Sequence, residues 1–279
     1  MTNDVIVVGS GLFGSVIAAQ LRSEGRKVTV IDAAKPDAGS KPAACLMRPS
    51  WFSSMGKDKF EPSLALLDRL YGVQDIKFKV GPASATVHWC NPKSILQQAD
   101  IYGTATTIKP GLNKQFMVGY EPVGSTAVAY ASAGLVVVAA GIWSAQLLPI
   151  QGLKGQAGMA LLFPDQAVNV PYIQPWAPYR QLVAFNRGDG LWVGDGSAIR
   201  AENWNAEREQ QVMLRCQKAT CNVGHPDKGM KKLFGIRPYT DHKPCFLEEI
   251  TPGLWAATGG AKNGTIAAGW CADQISRRS

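Results

Sequence analysis

Gly9, Gly11 and Gly14, followed by Asp32, are the residues whose types and spacing most directly suggest chemistry. They belong to the stretch Gly9-Ser10-Gly11-Leu12-Phe13-Gly14, which leaves the apolar run Val5-Ile6-Val7-Val8; the acid lies roughly 20 residues further on. Gly9 permits a tight turn, Gly11 lets a pyrophosphate approach the backbone, and Gly14 allows a helix to pack closely on a strand. The helix that begins there presents unpaired N–H groups to phosphate. Asp32 can accept hydrogen bonds from a ribose diol. The pattern reads as a dinucleotide site.

Such a site needs a strand, a helix and a second strand, and the sequence supplies all three. Residues 4–8 are short and apolar, residues 16–21 carry apolar side chains at helical spacing, and residues 27–31 form a second apolar run ending on Asp32. Two further apolar strands end in glycine ahead of a helix. One is residues 135–140, leading through Gly141 into a helix with Trp143; the other is residues 254–258, leading through Gly259 and Gly260 into a helix at 266–275. In a doubly wound sheet such strand ends converge on one edge, where cofactors bind. Helices are also expected at 60–71, at 93–99 behind an Asn91-Pro92 start, and at 201–216. Strands are expected at 76–80, 85–89, 156–163, 181–185 and 191–193, with an antiparallel meander over 101–132. The fold class is thus α/β: a Rossmann-like parallel sheet with a reduced, mainly antiparallel β substrate domain. Residues 1–72, 93–152 and 234–279 would form the cofactor domain, and 73–92 with 153–233 the other.

The chain has 279 residues, 46% hydrophobic and 18% charged, with no apolar run long enough for a membrane helix. A core strand begins almost at the N-terminus, so a cytoplasmic protein without a signal peptide is expected. The six cysteines form no CxxC pair and do not cluster with the three histidines, which argues against a metal site or disulfide framework. The formal charge of +8 is spread evenly along the sequence. It favours a polyanionic partner by field rather than by contact.

Four segments resemble the D-amino-acid oxidase and glycine oxidase family of FAD-dependent oxidoreductases: the glycine turn through Asp32, Ala43-Ala44-Cys45-Leu46-Met47-Arg48-Pro49, Val136-Val137-Val138-Ala139-Ala140-Gly141-Ile142-Trp143-Ser144 with Gly155-Gln156, and Gly235-Ile236-Arg237-Pro238-Tyr239-Thr240-Asp241, continued by the closing strand and Gly259-Gly260-Ala261-Lys262-Asn263-Gly264. The resemblance tilts the cofactor from NAD, which Asp32 would equally suit, to FAD. It implies that Gly9, Gly11, Leu12, Phe13, Gly14, Asp32 and Gly141 hold the cofactor and that Ala43, Ala44 and Cys45 line its ring. Gly259, Gly260, Lys262, Asn263 and Gly264 would lie at the pyrimidine edge. Arg237 matches the position that grips a substrate carboxylate, a role suited to a planar guanidinium. Tyr172, Tyr179, Arg180 and Trp192 are further candidates for the pocket wall.

Family members are usually longer in the substrate domain, which implies a trimmed lid. The implied reaction is oxidation of an amine-bearing carbon to an imine, then hydrolysis; no nucleophilic triad is needed, and His88, His225 and His242 form none. Two substrates stay open: free glycine or a related amino acid, and a glycyl-type group on a pyrimidine of nucleic acid. The latter is implied by resemblance to the flavin module acting on tRNA wobble uridine and to flavin enzymes of bacteriophage thymidine hypermodification, in which case the compartment would be the host cytoplasm. A non-catalytic FAD- or NAD-binding protein is the alternative from another class.

Overall fold

A computed structural model of the chain describes residues 3–52, 55–177, 180–220, 229–242 and 245–279. In chain order the first half contains β1 (Asn3–Val8), α1 (Leu12–Ser23), β2 (Val28–Asp32), β3 (Leu46–Met47), α2 (Lys57–Tyr71), β4 (Gln74–Val80), β5 (Ala83–Trp89), α3 (Pro92–Ile95), β6 (Ile101–Pro110), β7 (Phe116–Pro122) and β8 (Ala129–Val138). The second half contains β9 (Lys154–Phe163), β10 (Tyr172–Ala177), β11 (Arg180–Asn186), β12 (Leu191–Gly194), β13 (Ile199–Arg200), α4 (Ala206–Thr220), β14 (Lys231–Tyr239), β15 (Phe246–Thr251), β16 (Leu254–Thr258) and α5 (Gly264–Arg278).

The parallel core of the first sheet is β2, β1, β8 and β16 side by side: Val8 pairs with both Ile31 and Val138, and Ala256 pairs with Val138. The carboxyl ends therefore align. Both faces of these strands are covered, which explains their unbroken apolar sequence. Val5, Val7, Leu135, Val137, Trp255 and Ala257 pack with α1, α2 and α5, whereas Ile6, Val8, Val136, Val138 and Ala256 join Phe116 and Val118 of the meander.

The expected meander is present as β6, β7 and β8, with β7 antiparallel to both neighbours. Its last arm is continuous with the apolar strand: β8 pairs with β7 up to Ala133 and with β1 from Ala133 onward. The sequence reading split this strand because the polar alternation of one half gives way to doubly buried residues in the other.

The second sheet runs β13-β9-β12-β11-β10-β4-β5-β3, and β14 pairs along the free side of β9. The cofactor-domain boundary expected at 234 thus falls inside a strand of the second sheet. That strand escaped periodicity because Gly235 and Pro238 interrupt it. Helix α4 covers one face through Val212 and Cys216, packed with Leu161, Phe163, Leu182, Ala184 and Val193.

Three helices differ from expectation. Residues 93–99 form only one turn, α3: Asn91 Oδ1 accepts from Lys93 N at 3.0 Å, but Leu96 turns extended and Gln97 N is taken by Ser15 Oγ at 3.2 Å. Residues 141–146 form a 3-10 turn. The helix expected from 201 starts at Ala206, where Asn205 Oδ1 accepts from Arg208 N at 3.0 Å. No helix among the described residues is long and apolar enough to cross a membrane.

The contact between β1 and α1 is the tightest constraint in the cofactor domain. A Cβ at Gly14 would overlap the carbonyl oxygen of Gly9 and come within 3.3 Å of Val7 Cγ1. Gly14→Val is expected to cost about 3 kcal/mol or more, at or above the upper end for overpacking. Urea denaturation measures this, and an unchanged midpoint would contradict the packing.

Candidate functional site

Two cavities open where the parallel strands end, and they share Leu12, Gly39, Arg237, Ala261 and Gly264. The first lies along Gly9, Gly11, Leu12, Phe13, Asp32, Gly141 and Gly260. Gly9, at φ +108°, has no space for a side chain because the Ala139 carbonyl oxygen would lie 2.5 Å from its Cβ. Asp32 ends β2 beside this turn, its two carboxylate oxygens accepting from Ser10 N and Ala34 N at 2.6 Å each. At the start of α1, Leu12 N donates to Ser40 Oγ at 2.9 Å, and no side chain within the helix caps it. The Ser40 hydroxyl thus satisfies one of the free N–H groups of this terminus from outside the helix.

The second cavity has a volume of ≈ 530 Å³. Ala43, Ala44 and Cys45 form one side, and Lys262, Asn263 and Gly264 another. Met159, Gln181, Val183, Trp192 and Gly194 form a wall from the second sheet, with Trp51 and Phe52 completing it. The Trp192 ring lies across Gly194, whose Cβ would strike the indole carbons. Trp51 Nε1 is buried without a hydrogen-bond partner among the described residues. The lining contains no Asp, Glu or His.

Arg237 reaches both cavities from β14. A Cβ at Gly158 would overlap its Nη2, so glycine at that position of β9 makes the room the guanidinium occupies. Among the described residues Arg237 makes no side-chain hydrogen bond or ion pair. Burial works against its charge and lowers its pKa, while the field of Asp195 opposes that shift. Asp195 is itself fully buried and occupied: its carboxylate accepts from Arg215 Nε at 2.8 Å and from Ser197 N and Oγ at 2.9 and 2.6 Å. Arg237, partly buried and facing both cavities, therefore has no counter-ion of its own among the described residues, a fork suited to a carboxylate.

Most of the residues anticipated from sequence meet here. Gly14 and Gly259 line neither cavity; Gly14 is pressed against Gly9, and Gly259, at φ +81°, lies under Thr240. Arg180 and Tyr172 also line neither. The Arg180 guanidinium lies 5.6 Å from the centre of the Trp176 ring, and Tyr172 packs against the hydrophobic cluster under α4. Arg180 alternates on β11 with Gln181 and Val183, which face the cavity instead. Tyr179 lies outside the described residues. Sequence reasoning missed Ser40, Asp195 and Gln181. Only the Gly39-Ser40 pair carried a usable signal, as a small-residue turn after the acid.

The residues present fit a dinucleotide with an extended ring system: a glycine cradle at one end, small residues 43–45 at the other, and a continuous path between. A family model for FAD dependent oxidoreductases (DAO) matches residues 99–278, and one for a NAD(P)-binding Rossmann-like domain matches residues 7–39. No curated protein matches the chain. Among solved structures, the chain is similar to glycine oxidase from Bacillus cereus, with 17% identity and a TM-score of 0.70 over 100% of this chain and 96% of that one. L-proline dehydrogenase from P. horikoshii gives 14% identity and 0.72 over 99% and 94%. Iminodiacetate oxidase from Chelativorans gives 15% and 0.67 over 98% and 94%. At such identities the likeness is one of fold.

Cys45, at the cavity edge, is an internal reporter of burial. Desolvation lifts its thiol pKa from 9.0 to about 11, against smaller lowering effects from Thr265 and Arg187. The folded state thus keeps a proton that the unfolded chain loses above pH 9. Its stabilising effect is complete below pH 9 and disappears as the pH rises through 11. Unfolding in urea should show stability falling over that window, and falling less in Cys45→Ala. Equal losses in both proteins would contradict it.

Proposed function

The chain belongs to the DAO family of FAD-dependent oxidoreductases, and from that premise we propose that it oxidises the carbon–nitrogen bond of a glycyl-type substrate whose carboxylate is held by Arg237. The observation that carries this reading is the guanidinium at the junction of the two cavities, partly buried and without an ion-pair partner among the described residues. An anion there satisfies it; a neutral substrate leaves it costly.

The chemistry that FAD supplies when bound is acceptance of a hydride from the carbon bearing the amine. Gly9, Gly11, Leu12, Phe13, Asp32 and Gly141 would hold its ADP and diphosphate portion, and Ala43, Ala44, Cys45, Gly260, Lys262, Asn263 and Gly264 its ring. The side chains of the second cavity position and enclose the substrate. Arg237 fixes the carboxylate, and with it the adjacent carbon; Met159, Val183 and Trp192 exclude water. The absence of Asp, Glu and His from that lining suits this division of labour, because the amine's proton can leave to solvent before the carbon–hydrogen bond breaks. Loss of hydride and proton gives an imine, which water converts to a carbonyl compound and a free amine.

The finer reading is that the glycyl group is carried on a pyrimidine in DNA. The second cavity would hold the flavin ring and the substrate side by side. The walls include two indoles and a phenyl ring, which suit a planar base, and the net charge of +8 favours a polyanion. Free glycine or a D-amino acid is the competing substrate of the same head group.

Anaerobic mixing of FAD-loaded protein with glycine, D-amino acids and glycyl-bearing pyrimidines in DNA tests both levels. Bleaching by a carboxylate-bearing amine supports the reaction, and no bleaching by any of them rejects it. Salt-sensitive DNA binding supports the finer reading, whereas rapid turnover of free glycine without DNA affinity overturns it. Arg237→Gln should lower kcat/KM roughly 100-fold, within the 2–5 kcal/mol that removing one partner of a buried charged pair costs. Arg237→Lys should recover only part, lacking the planar fork.

A further inference from the structure

Pro42, Ala43, Ala44 and Cys45 are consecutive, yet every one of their carbonyl oxygens is taken by the second domain. Trp192 Nε1 donates to Pro42 O at 3.1 Å, Arg187 Nη1 to Ala43 O at 3.3 Å, Trp89 Nε1 to Ala44 O at 3.0 Å and Cys90 N to Cys45 O at 3.2 Å. In a regular strand successive carbonyls alternate between the two sides. Here the positive φ of Cys45, 54°, helps turn the run so that all four are engaged. The N–H groups of Ala44 and Cys45 take no backbone carbonyl among the described residues.

Three of the four donors are side chains, each fixed in turn. Trp89 is buried and packs edge-on against Phe185. Arg187 is buried and pairs with Asp189 through Nε at 2.9 Å and Nη2 at 2.7 Å. That pairing holds the Asp189 carboxyl below its usual pKa. Arg187 is therefore a neutralised, rigidly aimed donor rather than a free charge. Trp192 contacts Phe185 and also walls the second cavity.

We propose that Trp89, Arg187 and Trp192 are positioning residues that set the peptide planes of residues 42–45, so that the Ala44 and Cys45 N–H groups face the flavin and stabilise the negative charge it gains on reduction. Preorganised backbone donors cost no rearrangement when that charge appears. Because the Trp192 indole both borders the substrate space and holds Pro42, it couples the substrate wall to the flavin loop. This inference rests on the ring lying against residues 43–45, as proposed above.

Sulphite affinity of the FAD-loaded protein is the test, because it reports the ring's electron demand and requires no substrate. Trp89→Phe and Arg187→Met should retain FAD but weaken sulphite binding about tenfold or more, the scale of a lost hydrogen bond to a charged group. Trp192→Phe should do the same and also raise KM. Trp255→Phe is the control: it removes a buried indole whose N–H has no partner, and should leave sulphite affinity unchanged. Values within twofold of the parent in all three loop-binding variants would overturn the proposal. Should Arg187→Met fail to fold, the two Trp→Phe changes, each removing one N–H, decide the matter. Ala44→Leu separates the premise from the inference: unaltered FAD binding in that variant would mean the ring lies elsewhere.

Discussion

Arg215 and Arg237 both feel the carboxylate of Asp195, and Arg215 alone among them hydrogen-bonds to it. The carboxylate is sealed from solvent, and its remaining bonds go to Ser197. Trp176 then closes the group, its ring 4.6 Å from the Arg215 guanidinium and its Nε1 donating to Asp195 O at 2.8 Å. Two positive charges against one negative leave Arg237 without a counter-ion of its own among the described residues. The excess is located at Arg237, where the two cavities meet. The proposed selectivity for a carboxylate rests on this charge balance rather than on shape alone.

The rest of the architecture brings that guanidinium to the edge of a dinucleotide cleft. Parallel strands with both faces covered place their carboxyl ends in one plane, and glycine at their ends lets backbones approach where side chains would collide. β14 and β9 carry the same logic into the second sheet, where Gly158 leaves the space that Arg237 fills. The loop at residues 42–45 joins the two halves: its chain leaves the cofactor domain while its carbonyls are bound by the second sheet.

The cofactor half was largely legible in the sequence because its constraints are local. A buried parallel strand must be continuously apolar, and a backbone pressed against another backbone must be glycine. Both leave marks in consecutive residues, as at residues 4–14 and 135–141. The second half was less legible because its determinants are pairings across long distances. Arg237 was recognisable from the motif around it, but Asp195, 42 residues earlier, gave no local sign that it would neutralise Arg215 and leave Arg237 wanting. Arg180 looked like a pocket residue, and only the register of β11 shows that Gln181 and Val183 take the inward positions. Strand β14 was hidden by its own Gly235 and Pro238; at Gly235 a Cβ would strike Pro42 and Gly39.

The central claim is that the unpaired guanidinium awaits a carboxylate beside the flavin. Titration of the FAD-loaded protein with glycolate, a carboxylate without an amine, tests it directly through the flavin absorbance. A saturable spectral shift that disappears in Arg237→Gln is the predicted result. No saturable shift, or the same shift in the variant, would contradict the account.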